Sequence, residues 1–347
     1  MTPERPPVPP ELDGTEPASR PRISGEADPA ASPPRPSVPQ APAAPVVPPP
    51  GEHGGDGPRV AAALGLAPDE VLDLSASLNP FAPDVARLAR RRLDALGRYP
   101  EVEAAEALLA DGLGLPRDRL VLTAGGSQAI ALVAAHEGAG RVDDPDFSLY
   151  ARHLPRLDPS APRWRSDPHS PSGRLAAPGD RAGVWDEAFL PLAAGAWTRG
   201  RPGWALGSLT KAFACPGLRL GYAVAPRPDD AEALRRARPV WAVGGLACAL
   251  VPDLVEAADP PGWTAAVTRA RDELAGVLRG RGWRPLPSDA PWLLVPGAAG
   301  LREALARQAV VVRDCSSFGL ADHVRVAVPD AAGLERLDRA LGTAALP

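Results

Sequence analysis

The chain has 347 residues, 45% of them hydrophobic, which is enough for one large or two modest domains around a sizeable core. A net charge of −4 leaves no basic footprint and argues against a nucleic-acid partner. No apolar run reaches the roughly 18–20 residues that span a bilayer, and the N-terminus lacks the basic-then-apolar order of a signal peptide; Cys215, Cys248 and Cys315, odd in number and far apart, predict reduced thiols in a cytoplasmic protein, with neither a disulfide framework nor a bound metal.

Residues 1–50 hold 17 of the 45 prolines and almost no large apolar residue. Such a segment cannot bury enough surface to offset its ordering entropy, and it reads as a disordered tail. Order is predicted to begin near His53-Gly-Gly-Asp56 with an arm over 51–83. By itself His53 reads as a turn histidine. A helix over 60–66 is followed by an extended stretch over 71–80 that contains Asn79, the only asparagine in the chain. Over 84–96 the apolar positions Val85, Leu88, Ala89, Leu93 and Leu96 recur at helical spacing, with arginines on the other face. Arg98-Tyr99-Pro100 separates this helix from a second one over 101–113, closed by glycine.

Residues 119–132 run from a short apolar strand through Gly125-Gly126 into a helix. This is a strand–loop–helix anion site, in which glycines let the backbone approach a phosphate and the amides of Ser127 and Gln128 lie at the positive end of the helix dipole. Asp144-Pro-Asp-Phe-Ser-Leu-Tyr150 and Asp167-Pro-His-Ser-Pro-Ser-Gly173 follow as two proline-marked loops. Ala182-Gly-Val-Trp-Asp-Glu-Ala-Phe189 reads as a buried strand that ends on the carboxylate of Asp186.

The centre of the chain is the stretch from Ser208 to Tyr222. Its Lys211 is the only lysine among 38 cationic residues. Arginine replaces lysine wherever charge or hydrogen bonding suffices, but it cannot condense with an aldehyde because the guanidinium stays protonated. A chain that keeps a single lysine is therefore expected to use its amine in chemistry. Ser208 and Thr210 place hydroxyls beside that amine, and Arg219 adds a bidentate cation, so an aldehyde and a phosphate can be held together. Beyond Tyr222 the pattern predicts a helix over 229–238, a crossing segment from Pro239 and an amphipathic helix over 264–280. Strands over 292–295, 310–313 and 323–328 and helices over 301–308 and 332–341 complete the chain.

These segments resemble the fold-type-I pyridoxal-phosphate enzymes, and among them the threonine-phosphate decarboxylase and histidinol-phosphate aminotransferase branch. That branch carries S-[LF]-[ST]-K together with P-G-[LI]-R-[LI]-G-Y, a glycine turn of the G-[GNSE]-[ST]-[DQE] type, V-x-D-E-A-[YF] and a closing F-x-R-V-[AS]-[VI] strand. The likeness spans about residues 51–330. It implies an α/β fold: a large three-layer α/β/α domain with a mostly parallel sheet over 84–238, trimmed around 150–185, and a small C-terminal α+β domain over 239–347.

The resemblance also implies roles. Pyridoxal 5'-phosphate would be held by Lys211 at its aldehyde, by Asp186 at its ring nitrogen and by Phe147 stacked on its ring, with Tyr150 as packing. Gly126, Ser127, Gln128, Ser208, Thr210 and Arg219 would surround its phosphate, and Tyr99 would reach that phosphate across a homodimer interface. Ser170 stands where relatives carry the asparagine that meets the phenolic oxygen, and Phe189 where aminotransferase relatives often carry tyrosine. Arg325 would fork the substrate carboxylate, Arg313 and His53 would meet a substrate phosphate, and Asn79 would join the substrate site. The implied activity is decarboxylation of L-threonine O-3-phosphate to aminopropanol phosphate in cobalamin biosynthesis. The alternatives are an aminotransferase of the histidinol-phosphate type and a relative that has lost turnover.

Overall fold

The computed structural model describes residues 46–344. The proline-rich tail expected over 1–50 lies outside the described residues as far as residue 45. Its last residues are held against the body, since Arg302 Nη1 donates to the carbonyl of Pro48 at 3.0 Å. Among the described residues no helix is long and apolar enough to cross a membrane.

Among the described residues the ten strands are β1 (Leu72–Leu74), β2 (Leu120–Thr123), β3 (Arg141–Val142), β4 (Arg163–Ser166), β5 (Val184–Asp186), β6 (Trp204–Ser208), β7 (Gly221–Val224), β8 (Trp292–Val295), β9 (Val310–Asp314) and β10 (Val324–Ala327). Six of them form one sheet in the order β2-β7-β6-β5-β4-β3. Strands β3 to β6 are parallel neighbours, and β7 alone runs against both β6 and β2. Alternation along the strands sends side chains to two faces. Leu120, Leu122, Tyr222 and Val224 pack in one cluster with helices Val102–Leu113 and Gly245–Glu256. Val121 and Ala223 pack in another with helices Gly126–Glu137 and Pro228–Ala237. The result is the three-layer α/β/α arrangement.

The second sheet has the order β1-β9-β10-β8. Its first strand comes from the N-terminal arm, where Leu72–Leu74 pairs in parallel with 310–312 of β9. Helices Pro260–Gly280, Leu301–Ala306 and Ala331–Thr343 cover it.

Two expectations are corrected. A boundary between residues 238 and 239 is too early, because Ala247, Leu250, Val251 and Leu254 share a core with Leu109 and Leu122 of the large layers. The change of domain falls within helix Pro260–Gly280, whose Trp263 belongs to that core and whose Leu274 and Leu278 belong to the other. The helix expected over 84–96 stops at Arg90 and resumes as a 3-10 turn over Leu93–Gly97. There Arg92 Nε donates to Asp253 at 2.7 Å, drawing the chain toward the neighbouring helix. Where the large domain was expected to be trimmed, β4 passes to its parallel neighbour β5 through residues 167–183 without a helix.

Candidate active site

A cavity of about 220 Å³ opens at the carboxyl ends of β2, β4, β5 and β6, where the second sheet closes over the first. In open α/β sheets this is where ligands sit, because loops and helix N-termini converge there. Lys211 lies in the short helix Leu209–Ala212 that follows β6 directly. Burial pushes its amine down to about 8, and the charges of Arg325, Arg219 and Arg313 act in the same direction. Asp186 ends β5 and lines the same cavity. Its Oδ2 accepts from the phenol of Tyr150 at 2.8 Å and its Oδ1 from the Ala188 N–H at 3.1 Å. Burial raises this carboxyl to about 6 against the pull of those two donors.

The loop after β2 supplies the anion end. Gly125 has φ of +82°, and a Cβ on it would come within 2.5 Å of the Arg219 guanidinium. A Cβ on Gly221 would meet the backbone of Gly125 at 2.6 Å. Glycine at both positions lets loop, strand and guanidinium close together. Gly126, Ser127, Ser208, Thr210 and Arg219 all line the cavity. The first turn of a helix leaves amides without helical acceptors, and here Gly126 and Ser127 face the cavity. Gln128 does not: its N–H turns back to Gly125 O at 3.2 Å, and its Oε1 accepts from Ala124 N at 2.8 Å. It shapes the loop and does not line the site, a correction to the expectation from sequence.

The opposite wall comes from the second sheet and the arm. Arg313 and Arg325 are directly paired residues of antiparallel β9 and β10. Arg313 Nη2 donates to Glu52 O at 2.9 Å and to Ser317 Oγ at 3.1 Å. Arg325 Nη1 donates to Ser170 Oγ at 3.4 Å, and its guanidinium lies 4.7 Å from the ring centre of Trp292. Burial pushes Arg325 down to about 9, with the charge of Arg313 adding to the effect, so it remains a cation at neutral pH. Phe147 lines the cavity with its ring 5.7 Å from His53 and, edge-on, 5.7 Å from Tyr150. Burial lowers the pKa of His53.

Lys211, Arg219, Arg313 and Arg325 are all without an acidic partner among the described residues, in a chain where most arginines around them have one. Thr210 Oγ1, His53 Nδ1, Arg313 Nε and Arg325 Nε are buried with no hydrogen-bond partner. Converging on one cavity, these groups and the unpaired cations favour an anionic ligand there. The arrangement suits a molecule with more than one anionic group, a cationic group facing Asp186 and an electrophile within reach of the amine.

Comparison with known proteins gives the same answer. The family model for aminotransferase class I and II matches residues 184–341. A threonine-phosphate decarboxylase from Salmonella typhimurium is 30% identical, over 83% of this chain and 95% of its own length. The chain belongs to the class I and II aminotransferase family.

Within it, the chain falls in the branch of threonine-phosphate decarboxylases and histidinol-phosphate aminotransferases. A histidinol-phosphate aminotransferase from Haloarcula marismortui is 28% identical over 77% of this chain and 88% of its own length. The structure of histidinol-phosphate aminotransferase from Sinorhizobium meliloti in complex with pyridoxal-5'-phosphate superimposes with a TM-score of 0.68 at 17% identity, covering 82% of this chain and 93% of that one. This class I and II aminotransferase relative is a pyridoxal-phosphate-dependent enzyme, and the glycine loop with Thr210 and Arg219, the acid at Asp186 and the lone amine fit that cofactor.

One expected substrate residue lies elsewhere, and Tyr99, expected to serve the other subunit, does not enter this chain's own cavity. Asn79 does not line the cavity: its Nδ2 donates to Ala212 O at 2.8 Å, its Oδ1 accepts from Phe81 N at 3.0 Å, and its N–H donates to Lys211 O at 3.1 Å. It clamps the turn that carries the lysine. Tyr99 is exposed and stacks on Trp241 at 4.3 Å, outside this chain's own cavity. Tyr150 holds Asp186 and is more than packing; its spacing of three from Phe147 across the start of a helix puts both rings on one side.

Proposed function

We propose that this chain releases the carboxylate of L-threonine O-3-phosphate as carbon dioxide and forms aminopropanol phosphate, the phosphorylated amino alcohol used in the cobalamin nucleotide loop. The observation that carries this reading is the opposed pair Arg313 and Arg325, two cations without acids on the substrate side of the cavity. A substrate with separate carboxylate and phosphate groups satisfies both. Arg325 forks the carboxylate, and Arg313 with His53 takes the phosphate. The 30% identity to a protein named for this activity supports the choice.

Lys211 Nζ would hold the aldehyde end of pyridoxal 5'-phosphate, Asp186 the ring nitrogen and Phe147 a ring face. Gly126, Ser127, Ser208, Thr210 and Arg219 would hold its phosphate. When bound, the cofactor supplies an electron sink for a bond broken at Cα. Asp186, charged above about 6, keeps a proton on the nitrogen it meets. Lys211 Nζ, poised near 8, can carry a proton to Cα after carbon dioxide has left. Arg325 fixes the plane of the carboxylate, and that orientation selects the bond that breaks. Phe189, in the lining of the same cavity as Ser170, offers no hydrogen-bond donor.

The purified holoenzyme given L-threonine O-3-phosphate is expected to release carbon dioxide without forming glutamate. Glutamate from 2-oxoglutarate and histidinol phosphate, with no carbon dioxide, would assign the aminotransferase activity instead.

The same reading makes the working unit a homodimer in which Tyr99 completes the partner's phosphate site. Its support is the exposed stack of Tyr99 on Trp241, together with the exposure of Val240 and Leu96. Mixing Lys211→Ala with Tyr99→Ala chains, each inactive alone, is expected to restore activity, because one site of the mixed dimer regains both residues. No recovery after subunit exchange would rule out the shared site.

A further inference from the structure

We infer that Trp292 is the positioning residue for Arg325, and that it sets where the substrate carboxylate lies and so which Cα bond is cleaved. The inference rests on the carboxylate role of Arg325 proposed above.

Trp292 is fully buried in β8 and does not itself line the cavity. In the antiparallel pair of β8 and β10 it lies opposite Ala327, while Arg325 lies opposite Leu294. Residues two apart on a strand share a face, so Trp292 and Arg325 are diagonal neighbours within reach of long side chains. The guanidinium accordingly lies over the indole, 4.7 Å from its centre.

Little else holds that guanidinium. No acid pairs with it among the described residues, its Nε is buried without a partner, and its contact with Ser170 Oγ is long at 3.4 Å. The indole face is therefore the main restraint on the plane of the fork. Trp292 is itself fixed, because Nε1 donates to Pro171 O at 2.8 Å. Pro171 follows Ser170, so one hydrogen bond secures both the ring beneath Arg325 and the loop bearing its hydroxyl contact.

The third contact joins this unit to the cofactor side. Phe189 meets Trp292 edge-on at 4.8 Å, and Lys211 Nζ lies 5.7 Å from the Phe189 ring centre. Two rings thus span the space between the carboxylate-binding cation and the reactive amine. A tyrosine at 189 would carry a hydroxyl into this contact. Phenylalanine presents no hydroxyl there, so Trp292 and Phe189 meet through apolar ring surfaces alone.

The test uses holoenzyme and two inert probes that lack the amine: 3-phosphooxybutanoate, with carboxylate and phosphate, and isopropyl phosphate, with phosphate alone. Calorimetry on the wild type should show tighter binding of the first. In Trp292→Leu that preference is expected to fall about tenfold, the scale of a desolvated cation–π contact, with isopropyl phosphate binding and the cofactor absorbance unchanged. Exchange of the substrate α-hydrogen with deuterated solvent should rise relative to carbon dioxide release. Trp292→Phe keeps a ring but loses the bond to Pro171; it should shift both readouts in the same direction by less, and it carries the test if the leucine variant does not fold. A folded variant that retains wild-type preference and wild-type partition overturns the inference alone. A wild type that binds both probes equally overturns the role of Arg325, and the proposed substrate with it.

Discussion

Arg313 and Arg325 stand directly opposite each other on β9 and β10, two like charges with no acidic partner among the described residues. Such a pair is unfavourable in a folded sheet unless an anion lies against it. Arg325→Met is therefore expected to raise the melting temperature of the apo-protein, by the equivalent of about 1 kcal/mol. It should also raise the KM for the amino-acid substrate by about 10- to 100-fold, the loss of a charge-assisted hydrogen bond. Thermal denaturation and steady-state kinetics check both. An apo-protein destabilised by the change would mean that the pair is satisfied without ligand.

The phenol of Tyr150 lowers the pKa of Asp186 by donating to Oδ2. Removing the donor in Tyr150→Phe destabilises the carboxylate, so the pKa rises above about 6 and the acid limb of the kcat–pH profile moves toward neutral pH. At neutral pH kcat should fall by about tenfold. An unchanged acid limb would show that Asp186 does not govern it.

The lone lysine should reveal its burial in the pH dependence of cofactor capture. An amine near 8 becomes neutral as pH rises through 8, well below the range of an exposed lysine. The rate at which apo-protein takes up pyridoxal 5'-phosphate, followed by absorbance, should climb toward pH 8 and level off above it. Lys211→Arg should show no such capture at any pH.

Asn79 acts on the lysine through backbone. Asn79→Ala removes a buried hydrogen bond to Ala212 O and is expected to cost about 1–3 kcal/mol of stability in a denaturant titration. Cofactor affinity should weaken with it, while the relative preference among substrates stays the same. A variant with altered substrate preference would return Asn79 to the substrate site.

Most of the element order was readable from periodicity, because each strand and helix has one face that must be buried. The strand bounds over 292–295, the helix after Gly125-Gly126 and the strand ending at Asp186 follow that rule closely. The break after Arg90 and the position of helix Gly245–Glu256 were not readable, since both depend on which surface an element meets.

The chemistry was legible for a different reason. Side-chain type limits reaction type, so one lysine, a carboxylate at a strand end and a glycine turn before a helix were enough to specify an amine, an acid and an anion site. Which groups share the cavity, and which hold others in place, was decided by long-range pairing. Tyr150 reaches Asp186 from 36 residues away and Asn79 reaches Ala212 from 133. Trp292 meets Arg325 only because two antiparallel strands set them diagonally. A local pattern carries no record of such approaches, because the contacts form between segments whose spacing along the chain is unrelated to their distance in the fold.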